Sequence, residues 1–174
     1  IMGGLSRFPE LNREITCESY ALTMGSCAVI AACSYASLGG RSAFLGLAGR
    51  DDHGEYMLQG MQTFGIDTRR VVRTGSVRTG VTVNLILGDT RTQVTYPGTI
   101  VEFDGSGVGA ADIDGMDHIH FAGPYQQTRF RPHITRILGL AAKRGITTSL
   151  DPQWDAAEQW EGMAEWMPLL TYLF

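Results

Sequence analysis

The sequence predicts an α/β fold, a parallel β-sheet with flanking helices into which one antiparallel hairpin is set. Three observations carry this. From residue 25 onward, short apolar β-prone runs alternate with segments of helical period, and repeated β-α-β order implies parallel strands covered by helices. Residues 80–96 interrupt that alternation with two β-rich runs around Gly88-Asp89, a two-residue hairpin turn. The chain has 174 residues, 44% apolar and 18% charged, enough to bury one core within a single domain.

The elements follow in chain order. Residues 14–23 alternate imperfectly and read as a strand. Gly25-Ser26 opens a small-residue helix over residues 28–38, stopped by Gly39-Gly40. Residues 43–47 form a short buried strand. Asp51 or Asp52 caps the next helix, where Met57, Leu58, Met61 and Phe64 recur on one side before Gly65 ends it. After the hairpin, residues 117–121 are a strand and Ile134, Ile137, Leu138 and Ala141 mark one face of a helix closed by Gly145. Residues 146–150 are a further strand. An amphipathic segment over 156–166 then leads to a last β-prone run, 169–174.

Net charge is −4 and the isoelectric point is near 5.5, without the basic footprint of a nucleic-acid binder or a polybasic membrane patch. The longest apolar stretches, such as 28–32 and 81–87, are too short to span a bilayer. Three cysteines without a C-x-x-C pair argue against both a disulfide framework and a zinc site, and point to a reducing cytoplasm. The chain starts at Ile1 and ends on an apolar run, so both ends read as cut within a longer fold.

Several features carry chemical readings. The cluster Gly105-Ser106-Gly107-Val108-Gly109 resembles a dinucleotide loop, but the broken stretch after it suits a connecting loop better. No Walker-type phosphate loop occurs. His118 and His120 share one strand face, yet no third ligand has supporting spacing, so no metal site is expected. The tryptophans Trp154, Trp160 and Trp166, spaced by six, do not form a helical stripe. Asp151 follows a strand directly, where α/β sheets bind ligands; it either serves that rim or caps the next helix. Tyr125 and Gln126 follow residues 117–122 in the same way. Gly25-Ser26 is either a helix start open to a ligand or a tight packing site.

In order along the chain, Leu38-Gly39 through Phe44-Leu45-Gly46-Leu47-Ala48-Gly49-Arg50-Asp51-Asp52-His53-Gly54 is similar to the ribokinase-like (PfkB) carbohydrate kinase segment L-G-x-x-x-x-F-I-G-x-V-G-x-D-x-x-G. Phe64-Gly65-Ile66-Asp67-Thr68, Thr79-Gly80-Val81-Thr82-Val83, His120-Phe121-Ala122-Gly123 and Gly145 through Asp151-Pro152 resemble further segments of that family. The resemblance covers nearly the whole chain. It implies one partial ribokinase-like domain over 1–174, with a β lid from segments near 5–24 and 79–98. It implies ATP-dependent phosphorylation of a sugar hydroxyl with Mg2+, and a possible homodimer through the lid. Gly25, Ser26, Thr79, Tyr125 and Gln126 are then expected on the substrate side, and Asp151 and Gln153 toward phosphate and metal.

Two departures accompany it. Ile30 stands where the family carries a sugar-binding Asn, and an aliphatic side chain cannot bond a hydroxyl. Gln153 stands where Asn is common. The resemblance further implies that the first-strand Asp, the N-x-x-E motif and the D-T-x-G-A-G-D segment lie outside these residues. No catalytic residue is therefore expected within the chain.

Overall fold

A computed structural model describes residues 1–174. The short strands β1 (Met2–Gly3) and β2 (Ser19–Tyr20) are followed by helix α1 (Cys27–Ser37), strand β3 (Ala43–Gly49), helix α2 (Asp52–Thr63) and strand β4 (Asp67–Thr74). The hairpin strands are β5 (Val81–Leu87) and β6 (Thr90–Tyr96). Two single-turn helices, α3 (Thr99–Glu102) and α4 (Ala110–Ile113), lead to strand β7 (His118–Ala122), helix α5 (Ile134–Ala142) and strand β8 (Thr147–Asp151). Helix α6 (Met163–Trp166) and strand β9 (Tyr172–Leu173) complete the order.

These elements build three sheets. Strands β7, β8 and β9 lie side by side, all parallel, and β3 pairs in parallel with β4. The third sheet has the order β2-β1-β5-β6; β5 and β6 are antiparallel, with Leu87 opposite Thr90 across the Gly88-Asp89 turn. The expected antiparallel hairpin is therefore present in register. The parallel sheet is split, because no strand joins β3 to β7.

Burial explains which elements form. On α5, Ile134, Ile137, Leu138 and Ala141 are all buried, matching the periodic face; the first three pack with Phe121 and Leu150 of β7 and β8, and Ala141 with Ile113 and Ile146. A second cluster joins Val29 and Cys33 of α1 to Leu58 and Met61 of α2. Gly65, at φ +72°, ends α2 as the sequence indicates.

Two expectations needed correction, and one strand had not been expected at all. The strand expected over 14–23 shrinks to Ser19–Tyr20, since only two residues find a partner, in β1. Strand β4 was not anticipated; Arg69, Arg70 and Arg73 hide its β pattern because the strand is only half-buried. The 156–166 segment becomes a tight turn before α6. There the Asp155 carboxylate accepts hydrogen bonds from the N–H groups of Ala157, Gln159 and Trp160, which competes with helix formation.

Candidate functional site

The G-x-D-x-x-G segment has a physical purpose in the structure. Asp51 ends the loop after β3 and caps α2, its Oδ1 accepting from Gly54 N at 2.8 Å. The same oxygen accepts from Thr79 Oγ1 at 2.8 Å, and Oδ2 accepts from Thr79 N at 2.8 Å. Thr79 Oγ1 in turn accepts from Gly49 N at 2.9 Å. Thr79 is buried and lies two residues before β5, so this network fastens the start of the hairpin to the carboxyl end of β3.

Glycine is required at both ends of the joint. A Cβ on Gly54 would run into the Gly49 carbonyl oxygen and come within 2.9 Å of Thr79 Oγ1. A Cβ on Gly49 would lie 2.5 Å from Asp51 Oδ2. Burial raises the Asp51 pKa, but the N–H groups of Thr79 and Gly54 and the Thr79 hydroxyl outweigh it and hold the carboxyl below its ordinary value. Sequence reasoning read Asp51 only as a possible cap; the link to Thr79, 28 residues away, has no local signal.

The second group of residues gathers where β7 and β8 end and α1 begins. Gly123 N donates to Asp151 O at 2.9 Å. A Cβ on Gly123 would meet Cys27 Sγ at 3.3 Å and Gln153 Cγ at 3.8 Å, so the start of α1 and the turn after β8 flank this glycine. Asp151 is held by its neighbour: Gln153 N donates to Oδ1 at 3.0 Å and Gln153 Nε2 to Oδ2 at 2.7 Å. Gln153 has φ 56°, a strained left-handed value for a side chain of this kind. Ser26, the residue before α1, also has positive φ (69°) and makes no side-chain capping bond, leaving its hydroxyl and the first-turn N–H groups of α1 without that cap.

The expected site residues fall into two sets. Gly25, Ser26 and Thr79 line a cleft of about 1240 Å³, although the Thr79 hydroxyl is committed to Asp51 and Gly49. Tyr125, Gln126, Asp151 and Gln153 lie outside the wall of that cleft. Tyr125 is buried, edge-on to Trp160 at 5.4 Å and tilted against Trp166 at 6.1 Å, with Arg131 over its ring. Burial, followed by the charge of Asp155, pushes its pKa up, and the hydroxyl has no hydrogen-bond partner. Gln126 is exposed. Its neighbour Gln127, not singled out from sequence, lines the cleft and donates to the carbonyls of Ala122 (2.7 Å) and Gly123 (3.4 Å). Ile30 is 55% exposed and does not line the cleft.

No group of three or more His, Cys, Asp or Glu side chains converges anywhere. A magnesium ion thus finds no complete donor set in these residues, and Asp151 alone does not make one. His118 and His120 form a different cluster: His118 Nε2 and His120 Nδ1 lie 2.7 and 2.8 Å from the same hydroxyl, Ser149 Oγ. Burial lowers the pKa of both; at His120 the Asp151 charge opposes this and His118 adds to it. The folded chain therefore binds protons at these rings less readily than the unfolded chain, whose histidines titrate near ~6.5. Stability is complete above that pH and is lost as pH falls below it. The urea midpoint is expected to drop as pH falls below about 6.5, and His120→Gln should flatten that dependence. An unchanged slope in the variant would show that the histidine pair is not its source.

The chain matches the model of the pfkB family carbohydrate kinases over residues 5–174. Among solved structures it is similar to a fructokinase with bound ATP from Xylella fastidiosa, with TM-score 0.77 and 18% identity over 95% of this chain and 55% of that one. A ribokinase from Thermotoga maritima matches with TM-score 0.74 and 18% identity, over 97% of this chain and 53% of that one. A PfkB family carbohydrate kinase from Listeria grayi gives TM-score 0.77 and 18% identity, over 91% and 53%. The chain spans about half the length of these structures. No curated protein matches it. The ordered motifs and the family match over nearly the whole length agree: the chain belongs to the pfkB family of carbohydrate kinases.

Proposed function

We propose that these residues are the substrate-side part of an ATP-dependent sugar kinase, one that transfers the γ-phosphoryl group to a carbohydrate hydroxyl. The observation that carries this reading is the convergence of the α1 start, Gly123 and the Asp151–Gln153 pair at the strand ends, with the lid fastened nearby through Asp51 and Thr79. The open first turn at Gly25 and Ser26 suits a hydroxyl-rich or anionic ligand. Tyr125 and Gln126 border this end of the sheet, Tyr125 shaping it through packing. Asp151, its two oxygens oriented by Gln153, faces the phosphate side. Phosphoryl transfer depends on positioning and on charge stabilisation. In this reading the groups that stabilise charge, and those that complete a magnesium site, come from outside residues 1–174. Residues 1–174 alone are then inactive, and the parent enzyme works in the cytoplasm. No helix of the structure is long and apolar enough to cross a membrane.

The test is phosphorylation of a sugar panel by the parent gene product with ATP. Turnover is expected with at least one sugar, and Asp151→Ala should lower kcat/KM about tenfold or more, some 1.4 kcal/mol of transition-state stabilisation. No turnover with any sugar, or an unaffected Asp151→Ala enzyme, overturns the reading.

A second reading, a non-catalytic module that dimerises through the lid, is favoured by one observation. Strand β6 lies at the edge of the lid sheet and every one of its residues is exposed. Sedimentation of the 174-residue chain tests the dimer, and a parent gene product that dimerises yet phosphorylates no sugar favours this module over the kinase.

A further inference from the structure

The turn that follows β8 is unbalanced in charge. Residues 151–166 carry Asp151, Asp155, Glu158, Glu161 and Glu165 and no Lys, Arg or His. Asp155 is buried and spent on three backbone N–H groups, and Glu161 pairs with Arg131 at 3.0 Å. Asp151 is bonded by Gln153, and neither it nor Glu158 is paired with a cationic side chain.

Two indoles stand on the same turn. Trp154 and Trp160 meet at 88° with ring centroids 5.6 Å apart, an edge-to-face pair. The inner corner of such a pair is bounded by one face of each ring, and the face of an indole carries the negative part of its quadrupole. Trp154 is 64% exposed and Trp160 37%, so the pair offers its faces to solvent. The corner is also held in place, because the Asp155 carboxylate ties down the N–H groups of Ala157, Gln159 and Trp160.

The inner end of the stack shows what these faces accept. Tyr125 stands at 88° to Trp160, and the Arg131 guanidinium lies over the Tyr125 ring, 5.8 Å from its centroid, while it pairs with Glu161. Aromatic face, cation and carboxylate are all present there. At the outer end the faces and the carboxylates recur, and no side chain supplies the cation. Indole is moreover the better ring for this contact.

We propose that the corner of Trp154 and Trp160, in the field of Asp151 and Glu158, binds an organic ammonium ion carried on a small hydrophilic molecule. The ammonium gains two aromatic faces at once, and the unpaired carboxylates concentrate cations near them. A neutral molecule of the same shape gains neither. The inference rests on this turn and not on the kinase reading, and its readout needs neither ATP nor turnover.

The probes are choline and glucosamine, each set against an uncharged counterpart: the carbon isostere of choline, and glucose. They are titrated into the 174-residue chain at constant ionic strength while the indole N–H signals are followed by NMR. The Trp154 and Trp160 signals should shift saturably with the cations, with dissociation constants on the order of 1–10 mM. The signal of buried Trp166 should stay in place. The uncharged counterparts should bind about tenfold more weakly or less. Trp154→Ala changes an exposed residue and should abolish the Trp160 shift, and Glu158→Gln should weaken binding about threefold. Binding of one cation and not the other upholds the site and identifies its ligand as a quaternary or a primary ammonium. The absence of a saturable shift with either cation overturns the proposal. Equal binding of the uncharged counterparts overturns it too, by making the corner a general apolar surface, and so does a Trp160 shift that survives in Trp154→Ala.

Discussion

Gly54→Ala is expected to destabilise the chain by about 3 kcal/mol, although alanine is the better helix former by about 1 kcal/mol. Gly54 lies in the first turn of α2, where propensity alone would favour the change. The added methyl instead strikes the Gly49 carbonyl and crowds Thr79 Oγ1, so helix and strand end must part or Thr79 must give up its hydrogen bonds. The contrast is Gly139→Ala in the middle of α5, where a Cβ meets nothing within 4 Å; there a gain of about 0.5–1 kcal/mol is expected. Urea denaturation of the two variants reads both signs directly. If Gly54→Ala behaves like Gly139→Ala, the glycine is not a packing requirement and the joint is looser than described. A double-mutant cycle of Asp51→Ala with Thr79→Val then isolates the joint itself, with a coupling of about 1–2 kcal/mol expected for groups in one network.

That joint marks the boundary of what could be read from the residues. The spacing Gly49-x-Asp51-x-x-Gly54 is visible as a motif and Asp51 is legible as a cap, because capping is local, between Asp51 and a backbone N–H three residues on. The partner Thr79 is not legible, since what pairs them is the path of the chain through α2 and β4. The same division runs through the fold. Helix α5 and the hairpin were legible because a single face of period 3.6 and a two-residue turn are local signals. Strand β4 was not, because a half-buried strand with Arg69, Arg70 and Arg73 carries no apolar alternation; Arg73 is spent on the Gly49 carbonyl and on Glu55. At the site, Asp151 was legible from its place after a strand, but its clamp by Gln153 in a left-handed conformation was not. Tyr125 was expected as a lining residue, and the structure encloses its ring between Trp160 and Trp166 instead, a contact across 35 and 41 residues that spacing cannot show.

Those tryptophans carry the second large effect. Trp166→Ala is expected to cost about 4 kcal/mol, in the range for deleting a buried indole. Trp166 is 2% exposed in the cluster that joins α5 to β8, and Gly162 packs against its ring so closely that a Cβ there would lie 2.6 Å from Cε2. The consequence should reach the rim. Trp166 supports Tyr125, Tyr125 stands edge-on to Trp160, and Trp160 stands edge-on to Trp154 at 5.6 Å. Along this stretch Gln153, Glu158 and Trp160 all hold positive φ, which persists only while the surroundings over-determine it. Removing the indole takes away the floor of that stack, and the strained residues gain freedom to relax. Trp154→Ala removes the opposite end, which is 64% exposed, and should change stability by no more than about 0.5 kcal/mol. Thermal unfolding separates the two substitutions. Trypsin digestion reports on the rim, where cutting after Arg129, two residues before the Arg131 that sits over Tyr125, should quicken only in Trp166→Ala. Equal stability losses would mean that the stack is held by its outer members, and that the Asp151–Gln153 turn is positioned independently of the core beneath it.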